Sequence, residues 1–169
     1  QALEAGVLPH SPTLHYAVQL ADALAAMHDA LVIHGDISPR NLIVGSSRLT
    51  VIDFGVAAAA NRHRVARNSG VVPSTGSLEV VGTPPYMAPE QARGDAIDHR
   101  ADVVGFGTLV YEITTGIQPF ARGTTVETLA AVLRDEPRPI RTVRPDAPGP
   151  LDEIVRRCLA KDPRGRYQS

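Results

Sequence analysis

The 169-residue chain reads as an α+β domain, mainly α-helical, in which a few short strands carry polar loops. Apolar residues recur at helical spacing over several long stretches, while the apolar runs that suit strands are short and end in polar residues. Clusters of Pro, Gly and Ser separate the two kinds of segment.

Ser11-Pro12 opens the first helix, with Ser11 as N-cap and Pro12 at the first helical position. Leu14, Val18, Ala21, Leu24, Ala25 and His28 follow at helical spacing, so this helix should run to about Asp29. Leu31-Val32-Ile33 suits a small buried strand. His34 to Arg40 is polar and interrupted by Pro39, hence a loop. Leu42-Ile43-Val44 and Leu49 to Ile52 read as two strands of a hairpin around Gly45-Ser46-Ser47, and Asp53-Phe54-Gly55 follows at once. Residues 56–81, rich in Arg, Ser and Gly, read as a mobile surface loop. Residues 82–90 read as irregular. Ala101 to Thr115 is a mostly apolar, buried helix ending at Gly116. Thr125 to Asp135 is an amphipathic helix, and the proline-rich stretch from Arg138 to Pro150 is expected to be extended. Leu151 to Leu159 closes the series as a helix with Leu151, Ile154, Val155 and Cys158 on one face.

Hydrophobic residues make up 43% and charged residues 21%, enough for one domain with a core of Leu, Val, Ile and Ala. The formal net charge of -1 gives no field that draws the whole chain to nucleic acid or an anionic membrane. The single Cys158 cannot form an internal disulfide, which fits a reducing compartment. The N-terminus does not read as a signal peptide, and the apolar stretch from Val103 to Ile113 is too short to span a bilayer and contains Glu112. The expected location is cytoplasmic, free or as the cytoplasmic part of a membrane-anchored protein. No nucleic-acid or membrane contact is expected of this segment.

Taken singly, Asp36 reads as a cap or turn residue, Asp53-Phe54-Gly55 as a turn, and Asn41 as a turn residue before a strand. Their order and spacing carry more. Asp36 lies in the loop before Asn41, which begins the hairpin that Asp53 ends, so all three should meet at one end of it. Two carboxylates and an amide oxygen are hard ligands, suited to Mg²⁺ completed by water and substrate phosphates. That set suits phosphoryl transfer, where catalysis is positioning plus charge neutralisation.

His34-Gly35-Asp36-Ile37-Ser38-Pro39-Arg40-Asn41 resembles the protein-kinase catalytic loop, H-R-D-L-x-x-x-N. Asp53-Phe54-Gly55 matches D-F-G, and Ala88-Pro89-Glu90 matches A-P-E after Gly82-Thr83-Pro84-Pro85-Tyr86-Met87. Asp102 and Gly107 fall on the expected central helix, and Lys161-Asp162-Pro163 to Arg166 resembles the closing motif. The style of residues 89–94 and 115–120 is most similar to bacterial serine/threonine kinases. The resemblance implies a protein-kinase-like fold, large C-terminal lobe only, over residues 1–169. The small ATP-binding lobe would lie upstream in the same polypeptide, and the end of the large lobe would be cut short. It also implies ATP and Mg²⁺, a protein substrate with Ser or Thr hydroxyls, and a fragment inactive by itself.

The implied roles are specific. Asp36 would take the proton of the substrate hydroxyl, Asn41 and Asp53 would hold Mg²⁺, and Thr83 would bond near Asp36 as part of the substrate platform. Phe54 would stack near His34, Glu90 and Arg166 would form a buried ion pair, and Asp102 would brace the loop. Gly35 replaces the family's Arg, which implies weaker control by phosphorylation at Ser69, Ser74, Thr75 or Ser77. Ser38 occupies the phosphate-facing position of the usual Lys, and Arg40 is the candidate to supply the missing charge. The competing readings are a pseudokinase or scaffold, which Gly35 and Ser38 favour, and a small-molecule kinase, which the platform at 82–90 disfavours.

Overall fold

Helix α1 (His10–Asp29) opens the described part of the chain. The computed structural model describes residues 10–53 and 82–168. The helix begins at His10, so Ser11 lies inside it and is not its N-cap. The α1 C-terminus closes with two backbone bonds, Leu31 N–H to the His28 carbonyl and Val32 N–H to the Met27 carbonyl, both 2.9 Å. Leu31 takes a left-handed φ of 59° to make them, the geometry of a Schellman cap. This overturns the expected buried strand over Leu31–Ile33. Leu31 is 92% exposed, and the apolar run serves a helix end and joins no sheet among the described residues.

Strands β1 (Leu42–Val44) and β2 (Leu49–Val51) pair antiparallel, with Leu42 opposite Val51 and Val44 opposite Leu49. Helix α1 holds this hairpin through Gln19, whose Nε2 donates to the Ser47 carbonyl at 3.0 Å and whose Oε1 accepts the Leu49 N–H at 2.8 Å.

Helix α2 (Pro89–Arg93) and helix α3 (Arg100–Thr115) each end on a glycine in the left-handed region, Gly94 at φ 74° and Gly116 at φ 73°. Helix α3 is buried along most of its length and packs against α1, as its apolar composition predicts. Helix α4 (Thr125–Arg134) starts with a capping box, in which Thr124 Oγ1 accepts the Glu127 N–H and Glu127 Oε2 accepts the Thr124 N–H. Residues 138–150 are not simply extended. They contain helix α5 (Ile140–Val143) and the first residues of α6 (Gly149–Cys158), because Pro139 and Pro150 sit at helix starts, where a missing N–H costs nothing. No helix among the described residues is long and apolar enough to cross a membrane.

Two apolar clusters divide the core. One joins α3 to α6, with Val104, Val110, Phe120, Val155 and Leu159. The other lies between α1, the hairpin and α3, with Leu20, Leu24, Ile37, Leu42, Tyr86 and Leu109. The second forms the floor beneath the polar loop at 34–41.

One ion pair ties the two ends of the 82–168 region together. Arg166 is fully buried, and its guanidinium donates bidentately to Glu90, Nη1 to Oε1 at 2.6 Å and Nη2 to Oε2 at 2.9 Å. The other N–H groups reach the Ala160, Arg100 and Lys161 carbonyls, so all five donors are used. Removing the carboxylate strands a buried cation. Glu90→Ala is therefore expected to lower the unfolding free energy by about 3–5 kcal/mol in urea titrations. Cys158 is buried against α3, and burial pushes its thiol up to about 12. Iodoacetamide at pH 8 should label it on the order of 100-fold more slowly in the native protein than after denaturant is added.

Candidate active site

The polar loop is held from below by one carboxylate. Asp102 lies in the first turn of α3 and is 1% exposed. Its Oδ2 accepts the His34 N–H at 3.0 Å, and its Oδ1 accepts the Gly35 N–H at 2.7 Å. The His28 ring, at the end of α1, donates Nε2–H to Oδ2 at 3.0 Å. Gly35 has φ 76°, which glycine adopts at no steric cost. Its carbonyl accepts from Gln91 Nε2 at 2.6 Å, and Gln91 Oε1 accepts the Ala88 N–H at 2.8 Å. Both backbone polar groups of Gly35 are thus bonded to side chains of other elements.

Ile37, 2% exposed, pins the middle of the loop into the apolar floor. It lies directly on Gly105 of α3. A Cβ at position 105 would stand 2.8 Å from Ile37 Cβ and 2.9 Å from its carbonyl oxygen, closer than side chains approach. The glycine is what lets the loop backbone lie on the helix.

His34 is fully buried and links the loop to the hairpin. Its Nε2 lies 3.0 Å from the Ile52 carbonyl, which can only accept, so Nε2 carries the proton. Nδ1 is then left to accept the Asp36 N–H at 3.2 Å.

The Asp36 side chain emerges from this scaffold half-buried. Oδ1 accepts the Thr83 N–H at 3.0 Å, and Oδ2 accepts Asn41 Nδ2 at 2.9 Å. The same Asn41 nitrogen reaches the Asp36 carbonyl at 2.8 Å. Thr83 Oγ1 donates to Ser38 Oγ at 3.3 Å, and Ser38 is fully buried. Asn41 closes a 3₁₀ turn over Pro39–Asn41, and its carbonyl accepts the Ile52 N–H at 2.9 Å. That bond brings Asp53 to the same end of the hairpin as Asn41. Asp53 is exposed and has φ 63°, a region that Asp tolerates and most side chains avoid.

The structure thus brings Asp36, Ser38, Asn41 and Thr83 into one hydrogen-bonded group, with Asp53 one residue beyond the hairpin pairing. Arg40 is exposed and lines a neighbouring groove. Phe54, Ser69, Ser74, Thr75 and Ser77 lie outside the described residues.

Asn41 and Asp53 fit a magnesium ion by donor chemistry. The Asn41 amide spends its nitrogen on Asp36, and its oxygen accepts no hydrogen bond among the described residues. The Asp53 carboxylate is open to solvent. Two hard oxygen donors suit Mg²⁺, which commonly takes only one or two protein ligands beside substrate phosphates. No cluster of three His, Cys, Asp or Glu stands among the described residues, so a closed all-protein metal cage is absent there.

Several contributors escape a reading of the sequence. His28 looks like an ordinary helix residue until its ring meets Asp102. Gln91 and Gly105 act only through tertiary contact. Ile43, 55% exposed on β1, is indistinguishable in pattern from its buried neighbour Leu42.

Comparison with known proteins agrees with the geometry. The family model described as protein kinase domain matches residues 1–169. A probable serine/threonine-protein kinase of Clostridium acetobutylicum is 34% identical over 167 residues, 98% of this chain and 24% of the relative. The serine/threonine-protein kinase PknB of Mycobacterium leprae is 34% identical over 165 residues, 97% of this chain and 25% of the relative. The serine/threonine-protein kinase Pkn1 of Myxococcus xanthus is 36% identical over 157 residues, 89% of this chain and 21% of the relative. The chain spans about a quarter of the length of the first two relatives and rather less of the third. With its loop, hairpin and buried ion pair arranged as described, the chain belongs to the protein kinase domain family.

Proposed function

We propose that the protein carrying residues 1–169 is a serine/threonine protein kinase that transfers the γ-phosphate of ATP to Ser or Thr hydroxyls of a protein. In this reading residues 1–169 are its large lobe, and a nucleotide-covering small lobe comes from elsewhere in the polypeptide. The observation that carries the proposal is the Asp36 carboxylate, held on both oxygens by Thr83 and Asn41 yet still half-exposed.

Each Asp36 oxygen keeps a further lone pair for a substrate hydroxyl. Asp36 would orient that hydroxyl and accept its proton as phosphate is transferred. The Thr83 N–H fixes the carboxylate against the platform where the substrate lies. Asn41 and Asp53 would hold Mg²⁺, which when bound neutralises charge on the phosphates. Ile43 offers exposed apolar surface on the hairpin beside these ligands, suited to one face of the nucleotide base. Ser38 faces the same site through its bond to Thr83. A cytoplasmic site of action, where ATP and Mg²⁺ are at hand, fits this chemistry.

The test uses the complete polypeptide, Mg²⁺, labelled ATP and a panel of Ser/Thr peptides. Phosphopeptide formation is expected, and Asp36→Asn should reduce it about 10²- to 10⁴-fold. ATP binding without turnover would overturn the proposal in favour of a scaffold with a kinase fold. Gly105→Ala should displace Ile37 and with it the neighbouring Asp36. The expected result is a loss of about 1–3 kcal/mol of stability, read by thermal unfolding, together with a fall in kcat.

A further inference from the structure

We propose that Arg40 is a specificity-determining residue, which selects protein substrates bearing an acidic side chain, Asp or Glu, a few residues from the phosphorylated hydroxyl. The proposal rests on the phosphotransfer reading above and names the substrate class of that site.

A groove of about 480 Å³ runs from the shoulder of Asp36 between the 3₁₀ turn at Pro84–Tyr86 and the end of α3. Arg40, Thr83, Pro84, Tyr86, Glu112 and Gln118 line it. Its near end is Thr83, whose N–H bonds Asp36, and Arg40 adjoins Asn41, which bonds the other Asp36 oxygen. A peptide that presents its hydroxyl to Asp36 therefore has this groove directly beside it.

Two opposite charges face the groove, but they are not equally free. The Glu112 carboxylate accepts a hydrogen bond from the Tyr86 hydroxyl, and Tyr86 Oη in turn accepts from Gln118 Nε2 at 3.0 Å. Burial first, and then this bond to Glu112, hold the Tyr86 hydroxyl well above its ordinary range, so it stays a donor to the carboxylate. Glu112 is thus tied to the groove wall through one carboxylate oxygen. Arg40 is exposed and makes no ion pair or hydrogen bond among the described residues, though its charge is felt at Tyr86. The charged side chain of the groove without a partner among the described residues is the Arg40 guanidinium, whose flat array of donors matches a carboxylate two-to-two.

Pairs of Ser peptides, identical except for Asp or Lys at one scanned flanking position, test this with the complete polypeptide. One position should favour Asp over Lys by about two- to fivefold in kcat/KM, the range of a solvent-exposed ion pair. Arg40→Glu should reverse that preference, and Arg40→Ala should erase it, with the change carried by peptide KM. Equal use of both peptides by the wild type would overturn the proposal. So would a uniform loss of kcat in Arg40→Glu with the preference intact, which would assign Arg40 to the transferring phosphate instead. Anisotropy with fluorescein-labelled Asp and Lys peptides is run in parallel, so that absent turnover counts against phosphotransfer alone. Tighter binding of the Asp peptide, reversed by Arg40→Glu, then upholds the Arg40 assignment, and equal binding overturns it.

Discussion

The loop at 34–41 depends on the carboxylate of Asp102, a single buried anion on the central helix. It accepts two consecutive backbone N–H groups and one imidazole N–H. The His34 and Gly35 amides take their acceptor from outside the loop, and buried amides without partners are costly. Asp102 satisfies both at once. The amides offset the burial of its charge, and the charge makes each of their bonds stronger than a neutral one. Everything that Asp36 does downstream inherits its position from this contact.

Around that anchor the protein divides its labour by chemistry. Apolar packing through Ile37 and the cluster beneath it sets the depth of the loop. Polar side chains from distant elements, Gln91 at the backbone and Thr83 and Asn41 at the carboxylate, set its orientation. Because those bonds are mutually exclusive with other rotamers of Asp36, the carboxylate is held in one orientation, the preorganisation that the proposed phosphotransfer would need.

Much of this was legible in the sequence. The helical periods, the hairpin, the glycine stop at 116 and the order of Asp36, Asn41 and Asp53 all follow from local rules of spacing and backbone preference. What was not legible has a common physical origin. Leu31–Ile33 has the composition of a strand, but it pairs with no strand among the described residues, and its first residues cap a helix instead. The prolines of 138–150 suggest extension, yet at helix starts they favour helices. His28, Gln91 and Gly105 earn their roles only through contacts 56 to 74 residues away, or through a Cβ that is missing. No local pattern records either. The direction of the Arg40 side chain is likewise a tertiary fact, since its sequence position allows either the phosphate or the groove.

The long reach of the anchors has a consequence for biosynthesis. His34 and its partner Asp102 are 68 positions apart, and Glu90 and Arg166 are 76 apart. At a synthesis rate of about 5–20 residues per second, roughly 3–14 s separate the appearance of the loop from that of its anchor. A nascent chain that has already exposed Asp36 has only the local bonds from His34 and Asn41 to hold it, without the anchor beneath the loop. The loop therefore takes its final position late, only after the central helix that carries Asp102 has been made.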